Sequence, residues 1–204
     1  SMGTLMVAIS DFSPAATTAA LYYLVHSTFV AAALFLLADL VIARREVDDL
    51  GARPATLQNG LFASLFFAAA VGMAGMPPLS GFIGKLMVLD ALRAPGTIAW
   101  AWSAVLIGSL VTIVGFARAG STLFWKSTAI LPAASGEPDA QAEPTGTGRP
   151  AGVAELAPVM TAIALLALLT AFAGPLVGYL DGTTAQIFDR DGYVTSVLGT
   201  EGET

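Results

Sequence analysis

Two side chains of this sequence, Lys85 and His26, are placed to handle a proton inside an apolar stretch. Lys85 is the one basic residue within the second long apolar run, four residues after Gly81 and eight before Arg93. Eight helical residues span roughly 12 Å, about twice the ~6 Å that a lysine stem covers when it snorkels to the headgroups. A charge held at that depth costs about 2.5 kcal/mol or more. Such a lysine either strains to reach the interface or is a buried amine that loads and releases a proton. His26 follows Pro14 by twelve residues and precedes Arg44 by eighteen, near the middle of its run. Imidazole both gives and accepts a proton near neutral pH, which suits a relay; the alternative is a neutral ring bonded to a neighbouring helix. On a helix, Tyr22 and Tyr23 share the face of His26, with Ser27 adjacent, and together they make a polar strip.

Other polar residues in the runs carry weaker signals. Asp39 is close enough in sequence to Arg44 and Arg45 to pair with them or to reach the interface, and Asp90 is three residues from Arg93 on one helix face. Ser80 and Thr112 are candidates to hydrate a path, although a hydroxyl in a span commonly bonds its own backbone.

Composition says what must hold these residues. Of 204 residues, 55% are apolar and 12% charged, and the mean hydropathy is +0.74. A soluble domain carries charge on about 25% of its residues, so the favourable solvent for most of this chain is lipid, and the sequence reads as an all-α integral membrane protein. The net charge of −6 comes mostly from acids in 127–152, after residue 180, or beside Arg44 and Arg45, so it belongs to solvated loops. No basic stripe is present, which excludes nucleic-acid binding. Without cysteine, and with one histidine, the chain has no disulfide, no thiolate or histidine-built metal site and no cysteine nucleophile. No redox cofactor has an evident home.

Runs of about 20 apolar residues mark the spans. The first is 15–43, closed by Arg44 and Arg45, and the second is 59–92, too long for one straight helix and interrupted by Met76-Pro77-Pro78-Leu79-Ser80-Gly81. Two prolines remove two backbone donors and Gly81 loosens the next turn, so this run reads as one broken span whose opened carbonyls need protein or a wet cavity. The third run is 97–125, bracketed by Trp100, Trp102 and Trp125 as interface anchors. The fourth is 153–180, with a kink expected at Gly174-Pro175. Residues 127–152 contain Pro132, Pro138, Pro144 and Pro150 among Gly, Ala, Glu and Thr and read as a flexible linker. Counting the broken run as one crossing puts Arg44, Arg45, Arg53, Arg118, Lys126 and Arg149 on one side and Arg93 and Arg190 on the other. The six-charge side is then cytoplasmic, and the tail 181–204 lies outside the cytoplasm. Residues 1–10 read as the end of a helix too short to span, and the chain as a piece of a longer one.

The segment Gly75-Met76-Pro77-Pro78-Leu79-Ser80-Gly81-Phe82-Ile83-Gly84-Lys85 resembles the broken helix of the antiporter-like proton-pumping subunits shared by respiratory complex I and the multisubunit Mrp/Pha cation/proton antiporters. The stretches from Ala20 to Ser27 and Ala32 to Leu36 are similar to the helix before it, and Phe116 to Lys126 and Asp191 to Gly199 resemble parts of the antiporters' D-type subunit. The resemblance implies a longer protein of inverted helical repeats, each with a broken helix, of which this chain is the last four spans plus the end of the preceding helix. It puts Lys85 on the lysine of the terminal proton site and His26 on the histidine leading to it, with Val30 where some members carry a further lysine. The relay between His26 and Lys85 then runs through waters or hydroxyls. The implied function is a non-enzymatic subunit of a Na+(K+)/H+ antiporter in the cell membrane, with other antiporter subunits, lipid, protons and monovalent cations as partners and no cofactor. The alternatives are a proton-pumping subunit of an NADH-quinone oxidoreductase and a noncatalytic scaffold subunit.

Overall fold

The computed structural model describes residues 1–45, 50–51, 55–126 and 150–198; Arg53, Arg149, linker residues 127–149 and tail residues 199–204 lie outside them. The described residues form helices and no strand. They are α1 (Met2–Ile9), α2 (Pro14–Arg45), α3 (Asn59–Ala74), α4 (Ser80–Ala91), α5 (Ile98–Gly120) with a π-helical turn Ser121–Trp125 at its end, α6 (Val153–Ala171), α7 (Ala173–Phe188) and α8 (Arg190–Leu198).

Among the described residues, three stretches are long and apolar enough to cross a membrane, Pro14–Arg45, Ile98–Trp125 and Val153–Ala171. With the apolar α3 beside them and outward side chains such as Phe35, Phe67, Trp100 and Val111 exposed, the bundle turns an apolar surface to its surroundings. A backbone whose amides are satisfied within helices suits lipid. The chain is a multi-pass, all-α membrane protein.

One end of the bundle is tied by polar groups. The Arg44 guanidinium pairs with Glu155 near the start of α6, and Arg45 donates to the Leu123 carbonyl. The Asn59 side chain donates to the Phe124 carbonyl at 3.1 Å, and the Ala151 amide to Gln58 Oε1 at 2.8 Å. Two arginines in the last turn of α2 also oppose its dipole. Beneath this end, Leu37, Leu40, Phe62, Leu65, Leu123, Phe124, Ala151 and Val159 form one buried cluster. At the other end, Leu5, Ala8, Ala19, Ala20, Tyr23, Val88, Leu92 and Ala101 form a second, and Trp102 Nε1 donates to the Leu89 carbonyl at 3.0 Å. Thus α3 begins beside the end of α2, and α4 ends beside the start of α5. The two half-helices cross the bundle once between them.

The fourth run differs from its sequence-based outline. The break falls at Phe172, ahead of Gly174-Pro175, because Pro175 has no amide for the carbonyl four residues earlier and fits in the first turn of the next helix. That helix does not stop at Leu180. It continues to Phe188, and α8 follows, so the described part of 181–198 is largely helical.

Candidate proton-transfer site

The site is built on the gap between α3 and α4. α3 ends with Gly75 in the left-handed region (φ 72°), which lets the Gly75 amide bond the Gly72 carbonyl and the Met76 amide the Val71 carbonyl, both at 3.1 Å. This closure satisfies two terminal carbonyls and leaves that of Ala74 pointing onward. The Pro77-Pro78 peptide bond is cis, and α4 starts at Ser80. The residue that turns the chain is therefore Gly75. Gly81, read from sequence as the end of the break beside Pro77 and Pro78, is instead the second residue of α4.

Lys85 is buried, one turn into α4, and its chain folds back across the gap. Its Nζ donates to the Ala74 carbonyl at 2.7 Å and to Ser109 Oγ of α5 at 2.8 Å; Ser109 in turn donates to the Val105 carbonyl at 2.8 Å. Among the described residues no carboxylate lies within ion-pair distance of this amine. Its partners are one neutral hydroxyl and the carbonyl at the negative end of a half-helix, a setting that steadies an ammonium without locking it. The lysine runs so close to Gly75 that a Cβ there would fall 2.6 Å from Lys85 Cδ and 2.9 Å from Nζ.

His26, also buried, enters the gap from α2. Its Nδ1 is 2.9 Å from Ser80 Oγ. The space for the ring exists because residue 81 is glycine: a Cβ there would sit 2.7 Å from His26 Nε2 and would collide with the Gly72 carbonyl. Two ionisable side chains thus seat on one helix break.

The remaining sequence candidates divide. Tyr23 lies beside His26, ring centroids 5.7 Å apart, and the Tyr22 hydroxyl donates to the Leu169 carbonyl at 3.2 Å. A cavity of about 290 Å³ lies against Lys85, bordered by Thr4, Tyr23, Ser109 and Thr112. A larger one of about 460 Å³, bordered by Leu37, Phe66 and Phe124, is apolar and touches neither Lys85 nor His26. Ser27 bonds the Leu24 carbonyl of its own helix. Asp39 is exposed and pairs with neither arginine, since Arg44 is drawn to Glu155 and Arg45 to Leu123. Asp90 pairs with Arg93 at 2.7 Å, both exposed. Sequence reasoning passed over Ser109 and the turning role of Gly75. The glycine immediately before Met76-Pro77-Pro78 was the available signal for the second.

Residues 1–113 match the family model described as NADH:quinone oxidoreductase/Mrp antiporter, TM. The chain is 30% identical over 125 residues to the D subunit of the Na(+)/H(+) antiporter of Bacillus subtilis, covering 61% of this chain and 25% of that protein. It is 28% identical over 198 residues to the D subunit of the Na(+)/H(+) antiporter of Alkalihalophilus pseudofirmus, covering 97% and 37%. It is also 29% identical over 127 residues to the N 2 subunit of the NADH-quinone oxidoreductase of Sorangium cellulosum, covering 60% and 25%. The chain therefore spans between 25% and 37% of the length of these relatives. Lys85, His26 and the broken helix all fall inside the matched stretch, and the chain belongs to the NADH:quinone oxidoreductase/Mrp antiporter transmembrane family.

Proposed function

We propose that this chain is part of a proton-translocating subunit of a multisubunit Na+(K+)/H+ antiporter in the cell membrane. The observation that carries the reading is the seat of Lys85, a buried amine held by the Ala74 carbonyl and Ser109 with no described carboxylate to hold its charge. In this reading Lys85 exchanges a proton with the outer side, and His26, bonded to Ser80, passes protons along the polar axis of the membrane. A charge appearing on Lys85 in a low dielectric raises the energy of nearby cations, and this electrostatic coupling ties proton movement to Na+ or K+ movement. Other antiporter subunits and the remainder of the polar axis complete the path. The end bearing Arg44, Arg45, Arg118 and Lys126 faces the cytoplasm, which puts residues after 180 at the outer face.

The test uses vesicles from cells carrying the full-length protein with its partner subunits. Added Na+ or K+ is expected to dissipate an imposed proton gradient; a gradient indifferent to both ions overturns the reading. Likeness to the N 2 subunit of an NADH-quinone oxidoreductase supports a second reading, a proton-pumping subunit of such an enzyme. Co-purifying flavin and iron–sulfur subunits with NADH-driven proton movement would establish that one instead.

A companion prediction concerns Gly75→Ala. A left-handed alanine costs about 1–2 kcal/mol, which the protein tolerates. The added methyl, however, displaces the lysine chain from the Ala74 carbonyl. Normal abundance with strongly reduced cation-dependent proton flux is expected in the same vesicles.

A further inference from the structure

A hydroxyl in a helix commonly gives its proton to the carbonyl four residues back, as Thr28, Thr112 and Thr170 do here. Ser109 does the same, donating to the Val105 carbonyl at 2.8 Å. With its one hydrogen engaged there, the Ser109 oxygen can only accept from Lys85 Nζ, 2.8 Å away. The Ala74 carbonyl, 2.7 Å from the same nitrogen, is an acceptor by nature. Lys85 therefore meets two acceptors in its hydrogen bonds and no donor. A charged amine has three N–H groups, two of which these partners take; a neutral amine has two N–H groups and a lone pair, and the same two partners take both. The lone pair then stands where the third N–H stood. One seat fits both forms without movement of the side chain. Lys85 and Ser109 also border the cavity of about 290 Å³, whose wall includes Thr4, Tyr23 and Thr112. At about 30 Å³ per water molecule, that space holds several.

We propose that Ser109 is a positioning residue for proton exchange at Lys85: its hydroxyl, held as an acceptor by the Val105 carbonyl, turns the exchangeable position of the amine toward water in this cavity. On release, the third N–H bond breaks, its electron pair stays on Nζ, and a cavity water takes the proton as hydronium. Reloading reverses the step. A hydroxyl free to turn its hydrogen toward the neutral amine would bond the lone pair and keep it from the incoming proton. The Val105 carbonyl prevents that turn. Ser109 carries no proton itself, because its own hydrogen points back into α5. The inference rests on the proton-translocating reading of the chain and adds to it the residue that aims the amine.

The experiment compares three variants of the full-length protein in its complex, at matched membrane abundance: Ser109→Ala, which removes the acceptor; Ser109→Thr, whose hydroxyl bonds the carbonyl four residues back in the same way; and Lys85→Ala. The alanine variant at 109 is expected to cut cation-dependent proton flux roughly tenfold, the order set by one hydrogen bond to a charged group. The threonine variant is expected near wild type. If Ser109→Ala does not accumulate, Ser109→Cys, close in size but a weak acceptor, carries the same expectation. Wild-type flux in Ser109→Ala alongside loss in Lys85→Ala overturns the positioning role and leaves the Lys85 reading standing. Equal loss in Ser109→Ala and Ser109→Thr overturns it too, because the hydroxyl is then not what matters. Wild-type flux in Lys85→Ala overturns both the positioning role and the reading beneath it.

Discussion

Lys85→Arg is expected to stop cation-dependent proton flux as fully as Lys85→Ala, by about a hundredfold or more, the usual effect of removing a group that carries the transferred proton. Arginine keeps the positive charge and can donate to the same two acceptors, the Ala74 carbonyl and Ser109 Oγ. It cannot release a proton under any condition the protein meets. A site that needed only a fixed charge at the end of α3, to offset the half-helix dipole, would work with arginine. One that needs an exchangeable proton fails. Lys85→Met, neutral and unbranched like the lysine stem, separates bulk from charge and is expected to be equally inactive. Flux in vesicles at matched complex abundance decides it, and substantial activity in the arginine variant would make Lys85 a structural cation.

The second large effect is structural. Gly81→Ala places a methyl against the Gly72 carbonyl and 2.7 Å from His26 Nε2. The lysine near Gly75 has a flexible chain that can swing aside; the Gly72 carbonyl belongs to backbone tied to the Gly75 amide at 3.1 Å and cannot. The methyl must push α4 away from α2 and α3, and overpacking of this kind costs about 1–3 kcal/mol. Lower thermal stability of the extracted complex and loss of proton flux are both expected, because His26 leaves Ser80. Gly75→Ala, by contrast, is expected to lose flux with abundance retained. Equal stability of the two variants would show that the helices at the break have slack and that the seat of His26 is not set by residue 81.

The broken helix was legible because its cause is local: two adjacent prolines in an apolar run leave few other backbone solutions. Lys85 and His26 stood out for a related reason, an ionisable group far from any span end. What escaped depended on partners distant in the chain. Ser109 is a mid-span hydroxyl that bonds its own helix at Val105, as most do, while also accepting from Lys85, and only the packing of α5 on α4 shows the second role. From sequence, Asp39 is expected to pair with Arg44 and Arg45 or to reach the interface; it is exposed, and the partner of Arg44 is Glu155, 111 residues away. The extension of α7 to Phe188 was hidden because Asp181, Gly182, Thr183 and Thr184 end the apolar run at Leu180. Helical periodicity, with Thr184 turned inward at 1% exposure, carries the helix beyond the point where hydropathy falls.

The central claim is that the Lys85 amine gains and loses a proton during turnover, and a nitrogen spectrum reports this directly. Full-length complex labelled with 15N at the lysine Nζ, reconstituted in vesicles, gives a Lys85 signal identifiable by its absence in Lys85→Ala. Reversing the cation gradient across the membrane is predicted to move that signal between the ammonium and neutral-amine positions. A signal that stays at the ammonium position under both gradients would contradict the account and leave Lys85 a fixed charge at the end of a helix.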